Sequence, residues 1–175
     1  MKSGLENHAL INQNMFAYGK ILYDKHGIMK KLKQQSIREL KKKIKPFSKY
    51  DNDFKKYGLW CRYDDMLSLA QDGYPIDLLY WTLVDKLISA YYDFNCLPHV
   101  SHAKIQKILT DDGFAKRYHA EKLPEKKFTE LLLHCFNAEQ KNKLSAIDEF
   151  YKYVMESGGG FDIGQFIGRR KLEKK

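Results

Sequence analysis

Paired carboxylates are the first residues to test for chemistry, because catalysis by two metal ions needs carboxylates that hold the cations about 3.5–4 Å apart. Asp51 and Asp53 form the one closely spaced D-x-D pair of the chain. The pair lies in a polar link before a predicted helix, and no Gly-Ser turn or strand precedes it. Because Asp and Asn are favoured at helix N-caps, we expect this pair to cap a helix. We therefore predict no catalytic residues in the isolated chain.

Cys96, His99 and His102 form a second group of residue types that can bind a metal. Their C-x2-H-x2-H spacing supplies three ligands, whereas a structural zinc site usually takes four. The three cysteines of the chain are well separated and form no C-x-x-C pair, which argues against a disulfide framework. We expect free thiols and no metal site.

The formal charge of +9 is unevenly distributed. Residues 30–45 read KKLKQQSIRELKKKIK, which includes Lys41, Lys42 and Lys43, and the C-terminal tail carries Arg169 and Arg170. Such a basic face can attract nucleic acid, nucleotide phosphates or an acidic partner. A solvated helix face with a frayed tail is the simpler interpretation. The charge therefore predicts at most an anionic partner.

Helical periodicity dominates the chain after residue 27. In the clearest helix, which begins near Pro75, apolar residues recur at i, i+3, i+4 and i+7 from Ile76 to Tyr91. Besides a short helix over residues 5–16, the predicted helices cover about 28–44, 53–71, 75–96, 101–109, 124–136 and 138–157. These patterns predict an all-α bundle of five to six helices with one short N-terminal β-strand.

The one predicted strand runs from Ala17 to Tyr23 and closes into a turn at Asp24 to Gly27. A lone strand cannot satisfy its own backbone or bury its own face. We therefore expect its edge to be exposed or to pair with another chain. The predicted organisation is an N-terminal segment (residues 1–27), a helical bundle (28–157), and a Gly-rich break with a basic tail (158–175).

Residues 19 to about 110 resemble part of a known family. GKILYDKHG (19–27), followed by a basic helix, is similar to the exit from the catalytic core of nucleotidyltransferases of the DNA polymerase β superfamily. In the antibiotic and small-substrate members, a strand ending in a similar "LYD" leads into a helical domain. There, a helix ends near an Asn, and a Pro and a Lys follow. ISAYYDFNCLPHVSHAK supplies Asn95, Pro98 and Lys104 in that order.

The resemblance implies that the helical domain forms the far wall of a catalytic cleft. Lys104 would approach nucleotide phosphates, a role that suits a compact ammonium acting as a point charge. Asn95, Tyr91 and Tyr92 would lie near the cleft wall and orient a base or an acceptor. An exposed lysine on a short helix, and core packing of at least one tyrosine, are the simpler interpretations.

The family's core motif, a Gly-Ser followed by a D-x-D pair on a strand, is absent, so we do not expect this chain to transfer nucleotides alone. The predicted function is a substrate- or partner-binding helical domain, found as a fragment, a split subunit or a degenerate homologue. We expect no cofactor in the isolated chain. Mg²⁺ and a nucleoside triphosphate are expected only if a catalytic core completes it. The expected partner is such a core, or a second copy bound through the strand.

The alternative prediction is a basic helical module that binds nucleic acid, or a non-catalytic bundle of the HEPN type. HEPN nucleases use an Arg, a following polar residue and a His a few positions later. Arg117 and His119 are too close for that pattern, and the other arginines have no His at the required spacing. An RNase of this class therefore does not fit.

The compartment is predicted from what the sequence lacks. The most apolar stretch, Ile76 to Leu97, is interrupted by charged residues and is too polar to span a bilayer. The N-terminus MKSGLENHAL has no apolar signal core. We expect a cytoplasmic protein with no membrane partner.

Overall fold

The computed structural model describes residues 16–117 and 124–166 of the 175-residue chain. Within them, seven α-helices and two 3-10 turns occur, with short helical turns at 16–18 and 163–166 and no β-strand. In chain order, α1 to α7 are Ile28–Leu40, Lys49–Gln71, Asp77–Phe94, Ile105–Thr110, Asp112–Arg117, Lys126–Asn137 and Lys143–Ser157, and the 3-10 turns are His102–Lys104 and Gln140–Asn142. The all-α class is confirmed, whereas the count of five to six helices is wrong.

The N-terminal strand is the main correction to the predicted fold. Residues 16–18 are helical and residues 20–24 have no regular structure. A strand exists only where its backbone pairs with another strand. Among the described residues, no backbone group pairs with residues 20–23. The helix predicted over residues 5–16 lies outside the described residues, apart from residue 16.

The chain forms two compact units. The first comprises residues 1–45 and 96–124, and the second comprises residues 46–95 and 125–175. In the first unit, α4 packs against α5. Ile108 and Ala115 are the buried centre of this pair, and Val100 and Phe114 cover them. Each unit contains part of the predicted 28–157 bundle.

The second unit is organised around α3, which packs against α2 and α7, while α6 packs against α7. The predicted apolar stripe of α3 is buried at Ile76, Tyr80, Leu83, Val84, Leu87, Ile88 and Tyr91. The hydroxyl of Tyr80 donates a hydrogen bond to the Cys135 carbonyl at 2.8 Å. A buried tyrosine needs such a partner for its polar end. The apolar face predicted for this helix is thus buried, as its repeat indicates.

The start of α2 differs from the prediction. The cap is Ser48, whose hydroxyl oxygen accepts a hydrogen bond from the Asp51 N–H at 3.1 Å. Asp51 itself lies in the first turn, where its carboxylate accepts a hydrogen bond from the Ser48 hydroxyl at 2.6 Å. A carboxylate there suits the positive end of the helix dipole. Asp51 and Asp53 therefore lie inside the helix rather than at its cap.

Candidate functional site

Two of the predicted nucleotide-binding residues lie in the core of the second unit. Tyr91 is 2% exposed and stacks on Phe128 with ring centroids 4.0 Å apart. Tyr92 is 1% exposed and meets the same Phe128 edge-to-face at 6.1 Å. Burial raises the pKa of the Tyr92 hydroxyl well above its usual range. Both rings are occupied by core packing, which leaves them no surface for a ligand.

The other two predicted residues belong to different units. Asn95 ends α3 in the second unit, where its side-chain amide donates a hydrogen bond to the Tyr91 carbonyl of the same helix at 2.9 Å. Lys104 lies in the first unit, in the 3-10 turn His102–Lys104, and is exposed. The side-chain amide of Asn95 thus satisfies a backbone carbonyl at the end of its own helix. The exposed Lys104 can reach a ligand from outside.

Residues 19–24 are a segment of the first unit that has no regular secondary structure and carries large exposed apolar side chains. Leu22 is 86% exposed and Tyr23 is 78% exposed. The segment is attached at its two ends. The Lys33 ammonium donates to the Gly19 carbonyl at 3.2 Å, and the Asp24 carbonyl accepts the Gly27 N–H at 3.3 Å. Between these attachments, the backbone of residues 20–23 pairs with no backbone group in the described part of the chain, and both apolar side chains are exposed.

Asp24 connects this segment to α1. Its carboxylate accepts the backbone N–H groups of Met29 at 3.1 Å and Lys30 at 3.0 Å, two of the four donors that a helix start leaves without a partner. These hydrogen bonds, above all that of Lys30, hold the pKa of the Asp24 carboxyl below its usual value. Gly27 precedes the helix with φ of 68°, a backbone angle that favours glycine. The D-x-x-G sequence is therefore the local signal that starts α1.

The basic segment, residues 28–45, consists of α1 and the residues that follow it within the first unit. It contains eight basic residues and one acidic residue, a net charge of +7 in a chain whose total is +9. All of the basic residues except Lys33 lie at exposed positions. Lys42 pairs with Glu39, the one acidic residue, at 2.7 Å. The predicted anion-binding residues Lys41, Lys42 and Lys43 belong to this segment, whereas Arg169 and Arg170 lie outside the described residues.

The second unit also has a cavity that was not predicted from the sequence. Its volume is about 630 Å³. One wall is a stripe of α2, namely Lys49, Asn52, Asp53 and Lys56, and the other is residues 158–162 with Gln165 and Phe166. The spacing i, i+3, i+4, i+7 places the four α2 residues on one helix face. That polar stripe, opposite a Gly-Gly-Gly break, is the signal from which the site could have been found.

Two other kinds of site, a metal centre and a membrane span, have no counterpart in the described part of the chain. Within the described ranges, no three His, Cys, Asp or Glu side chains come together as metal ligands. In the same ranges, no helix has the length and apolar character needed to cross a bilayer. Comparisons of the chain with protein-family models, with curated proteins and with solved structures found no match.

Proposed function

We propose that this chain is the helical binding half of a two-part assembly of nucleotidyltransferase type. We propose further that residues 19–24 add a strand to the sheet of a separate catalytic chain. The observation that carries the proposal is the exposure of Leu22 and Tyr23 on a backbone without strand partners among the described residues. Exposed peptide groups together with exposed apolar side chains are what strand addition to a sheet edge uses.

The expected binding energy follows from the two side chains. Complete burial of a large apolar side chain contributes about 1.5–3 kcal/mol. Each inter-strand hydrogen bond adds a net of about 0.5–1.5 kcal/mol. Burial of Leu22 and Tyr23 alone therefore accounts for at least about 3 kcal/mol, or roughly a 100-fold change in Kd.

The catalytic class rests on the resemblance of GKILYDKHG and of Asn95, Pro98 and Lys104 to the nucleotidyltransferase pattern. In this proposal the partner supplies the carboxylates, and with them Mg²⁺ and the nucleoside triphosphate. Asn95 and Lys104 both lie at exposed positions, and Lys104 is the one of the two whose ammonium can meet phosphate as a cation. Tyr91 and Tyr92 are not part of the proposed contact, because core packing occupies both rings.

The test begins with capture of partners by the tagged full chain from its native host, and identification of any stoichiometric protein that carries Gly-Ser and D-x-D motifs. That protein is then purified and mixed with this chain, and Mg²⁺-dependent nucleotide transfer is assayed with each chain alone and with both together. We expect transfer only from the mixture. We further expect Lys104→Met to raise the KM for the nucleotide more than it lowers kcat.

A matched pair of variants tests the docking segment. Leu22→Asp with Tyr23→Asp should weaken association by roughly 100-fold or more. Leu78→Asp is the control, because Leu78 is 82% exposed but lies on α3 in the second unit. Unchanged association of the Leu22/Tyr23 variant would remove the segment from the interface. A captured partner without the catalytic motifs, or transfer that does not need this chain, would overturn the proposal.

The basic segment favours a second candidate, a surface that binds nucleic acid. Seven exposed cations within residues 28–45 are a sufficient electrostatic footprint for phosphate contacts. Such contacts release counterions, so affinity for duplex DNA should fall with log[salt] at a slope of roughly 0.9 per phosphate neutralised.

Charge reversal tests the second candidate. Lys41, Lys42 and Lys43 changed together to Glu should abolish binding to a DNA or RNA oligonucleotide. The matched control is the same change at Lys126, Lys127 and Lys141, which are exposed residues of the second unit. It alters the net charge of the chain by the same amount. Equal loss in both triple variants would indicate a response to net charge alone, and would remove the basic segment as a binding surface.

A further inference from the structure

Lys56 is a buried lysine at the edge of the cavity in the second unit. The residue is 5% exposed, which is rare for lysine, a residue almost never fully buried unless paired. A Cβ built on Gly158 would lie 2.7 Å from the Phe94 ring and 3.1 Å from Lys56 Cε. The aliphatic part of the side chain therefore fills the space between α2 and the end of α7. This packing explains why the stem of Lys56 is buried, but it leaves the ammonium to be explained.

Few protein groups interact with the positive charge of the Lys56 ammonium. Its nearest carboxylate oxygen, on Asp53, is 3.9 Å from Nζ, which is too long for a hydrogen bond. Its distance to the centroid of the Phe94 ring is 5.8 Å. Among the described residues, no atom accepts a hydrogen bond from Nζ, although an ammonium has three donors. The stem of Lys56 is thus buried while its ammonium end lines the cavity, where a ligand can supply the missing acceptors.

A second polar atom of the same helix face also lacks a partner. Asn52 Oδ1 is buried and makes no hydrogen bond within the described structure, and Asn52 lines the cavity beside Lys56. Most buried polar atoms are satisfied, and the exceptions call for an explanation. Because Asn52 Oδ1 has almost no accessible surface, the polar group that the cavity offers a ligand is the Lys56 ammonium, with the Asp53 carboxylate beside it.

The remaining walls of the cavity combine acidic and aromatic groups. Asp53 and Asp162 contribute carboxylates, and Phe161 and Phe166 contribute apolar surface. The ring of Phe166 is held by stacking on Tyr57 with centroids 4.9 Å apart. The volume of about 630 Å³ lies within the range of small-molecule sites, and the lining is more polar than apolar.

We propose that the cavity between the α2 stripe (Lys49, Asn52, Asp53 and Lys56) and residues 158–166 binds a small aromatic anion that also carries N–H donors. Its phosphate or carboxylate accepts from Lys56, its N–H groups donate to the Asp53 carboxylate, and its planar part packs on Phe161 and Phe166. A mononucleotide has this chemistry, and an aromatic amino acid shares its anionic group, its N–H donors and its planar part.

The test is isothermal titration of the full chain with AMP, with tryptophan and, separately, with inorganic phosphate. We expect saturable binding of AMP or of tryptophan with a Kd below about 1 mM, and weaker binding of phosphate because it lacks the planar part. Binding of AMP alone assigns the head group as phosphate, and binding of tryptophan alone assigns it as carboxylate. Failure of both aromatic probes, or phosphate binding as tight as theirs, would overturn the proposal.

Two variants test whether the ligand binds in the cavity. Lys56→Met keeps the aliphatic stem and removes the charge, and should weaken binding roughly 10- to 150-fold, the range for a hydrogen bond to a charged group. Gln165→Trp fills the cavity from an exposed position without altering Lys56, so it tests the cavity even if Lys56→Met fails to fold. Lys126→Met, at a side chain 92% exposed, is the control for net charge. Wild-type affinity in either cavity variant, with its circular dichroism unchanged, would refute the site.

Discussion

Among the described glycines of the second unit, Gly158 should be the one least able to accept a methyl group. A Cβ there would lie 2.7 and 2.8 Å from two carbons of the Phe94 ring and 3.1 Å from Lys56 Cε. Real Cβ atoms do not approach a neighbour as closely as 2.7 Å, so the ring or the end of α7 must move. The backbone itself is not the obstacle, because Gly158 has φ of −86° and ψ of 4°, which alanine can adopt.

The magnitude follows from two opposing effects. Forcing an extra methyl group into a packed site costs about 1–3 kcal/mol. Replacing glycine by alanine at an allowed backbone angle recovers about 0.4–1 kcal/mol by restricting the unfolded chain. The net expectation for Gly158→Ala is a loss of about 0–2.6 kcal/mol in the free energy of unfolding, with about 1.3 kcal/mol at the middle of both ranges. For a chain of this size, the middle value corresponds to a fall in Tm of about 3–5 °C.

Thermal and urea unfolding of two single variants measure this effect. Gly58→Ala is the matched control in the interior of α2, where a Cβ meets only Arg62 Nη1 at 3.5 Å, an ordinary contact. It should stabilise the chain by about 0.5–1 kcal/mol, because glycine weakens a helix interior. The two changes should thus have opposite signs. A Gly158→Ala variant that is stabilised as Gly58→Ala is would refute the close approach of α7, Phe94 and Lys56.

A double-mutant cycle identifies the clashing partner. Phe94→Leu removes the ring that lies nearest to the added methyl group. Combined with Gly158→Ala, it should destabilise the chain by less than the sum of the two single changes, because the clash is then already relieved. Simple additivity of the two changes would show that the Phe94 ring is not what excludes a side chain at position 158.

Two further predictions concern titratable groups. Asp24→Ala should lower resistance to urea more at pH 7 than at pH 3. The folded-state pKa of Asp24 is lowered, so its contribution is full above the unfolded pKa of about 3.9 and is lost as pH falls through the folded value; equal effects at both pH values would contradict this. Burial raises the pKa of the Cys135 thiol to about 12, so a thiol reagent at pH 8 should label the half-buried Cys61 and Cys96 much faster than Cys135. Rapid labelling of all three thiols in the folded protein would show that Cys135 is not enclosed.

Much of the helical architecture could be predicted from the sequence, because the signals are local. The repeat of apolar residues from Ile76 to Tyr91 places α3 and identifies its buried face. Gly158 ends α7 as the glycine run indicates. The start of α2 was misplaced by four residues, because Ser48 competes with Asp51 and Asp53 as a cap and only backbone geometry decides between them.

The candidate sites depended on contacts between distant residues, which periodicity does not contain. Residues 17–23 have the composition of a strand, yet a strand needs a partner and the described residues supply none. Tyr91 and Tyr92 could have faced a ligand or the core, and stacking on Phe128 decides for the core. Lys56 has the sequence signature of an ordinary surface lysine, and it is buried because Phe94 and Gly158 close around its stem. The sequence alone thus determined the longer helices, since their apolar repeats depend on neighbours within a turn or two. Only the tertiary structure decided the short helical turns and which side chains are left open to a partner or a ligand.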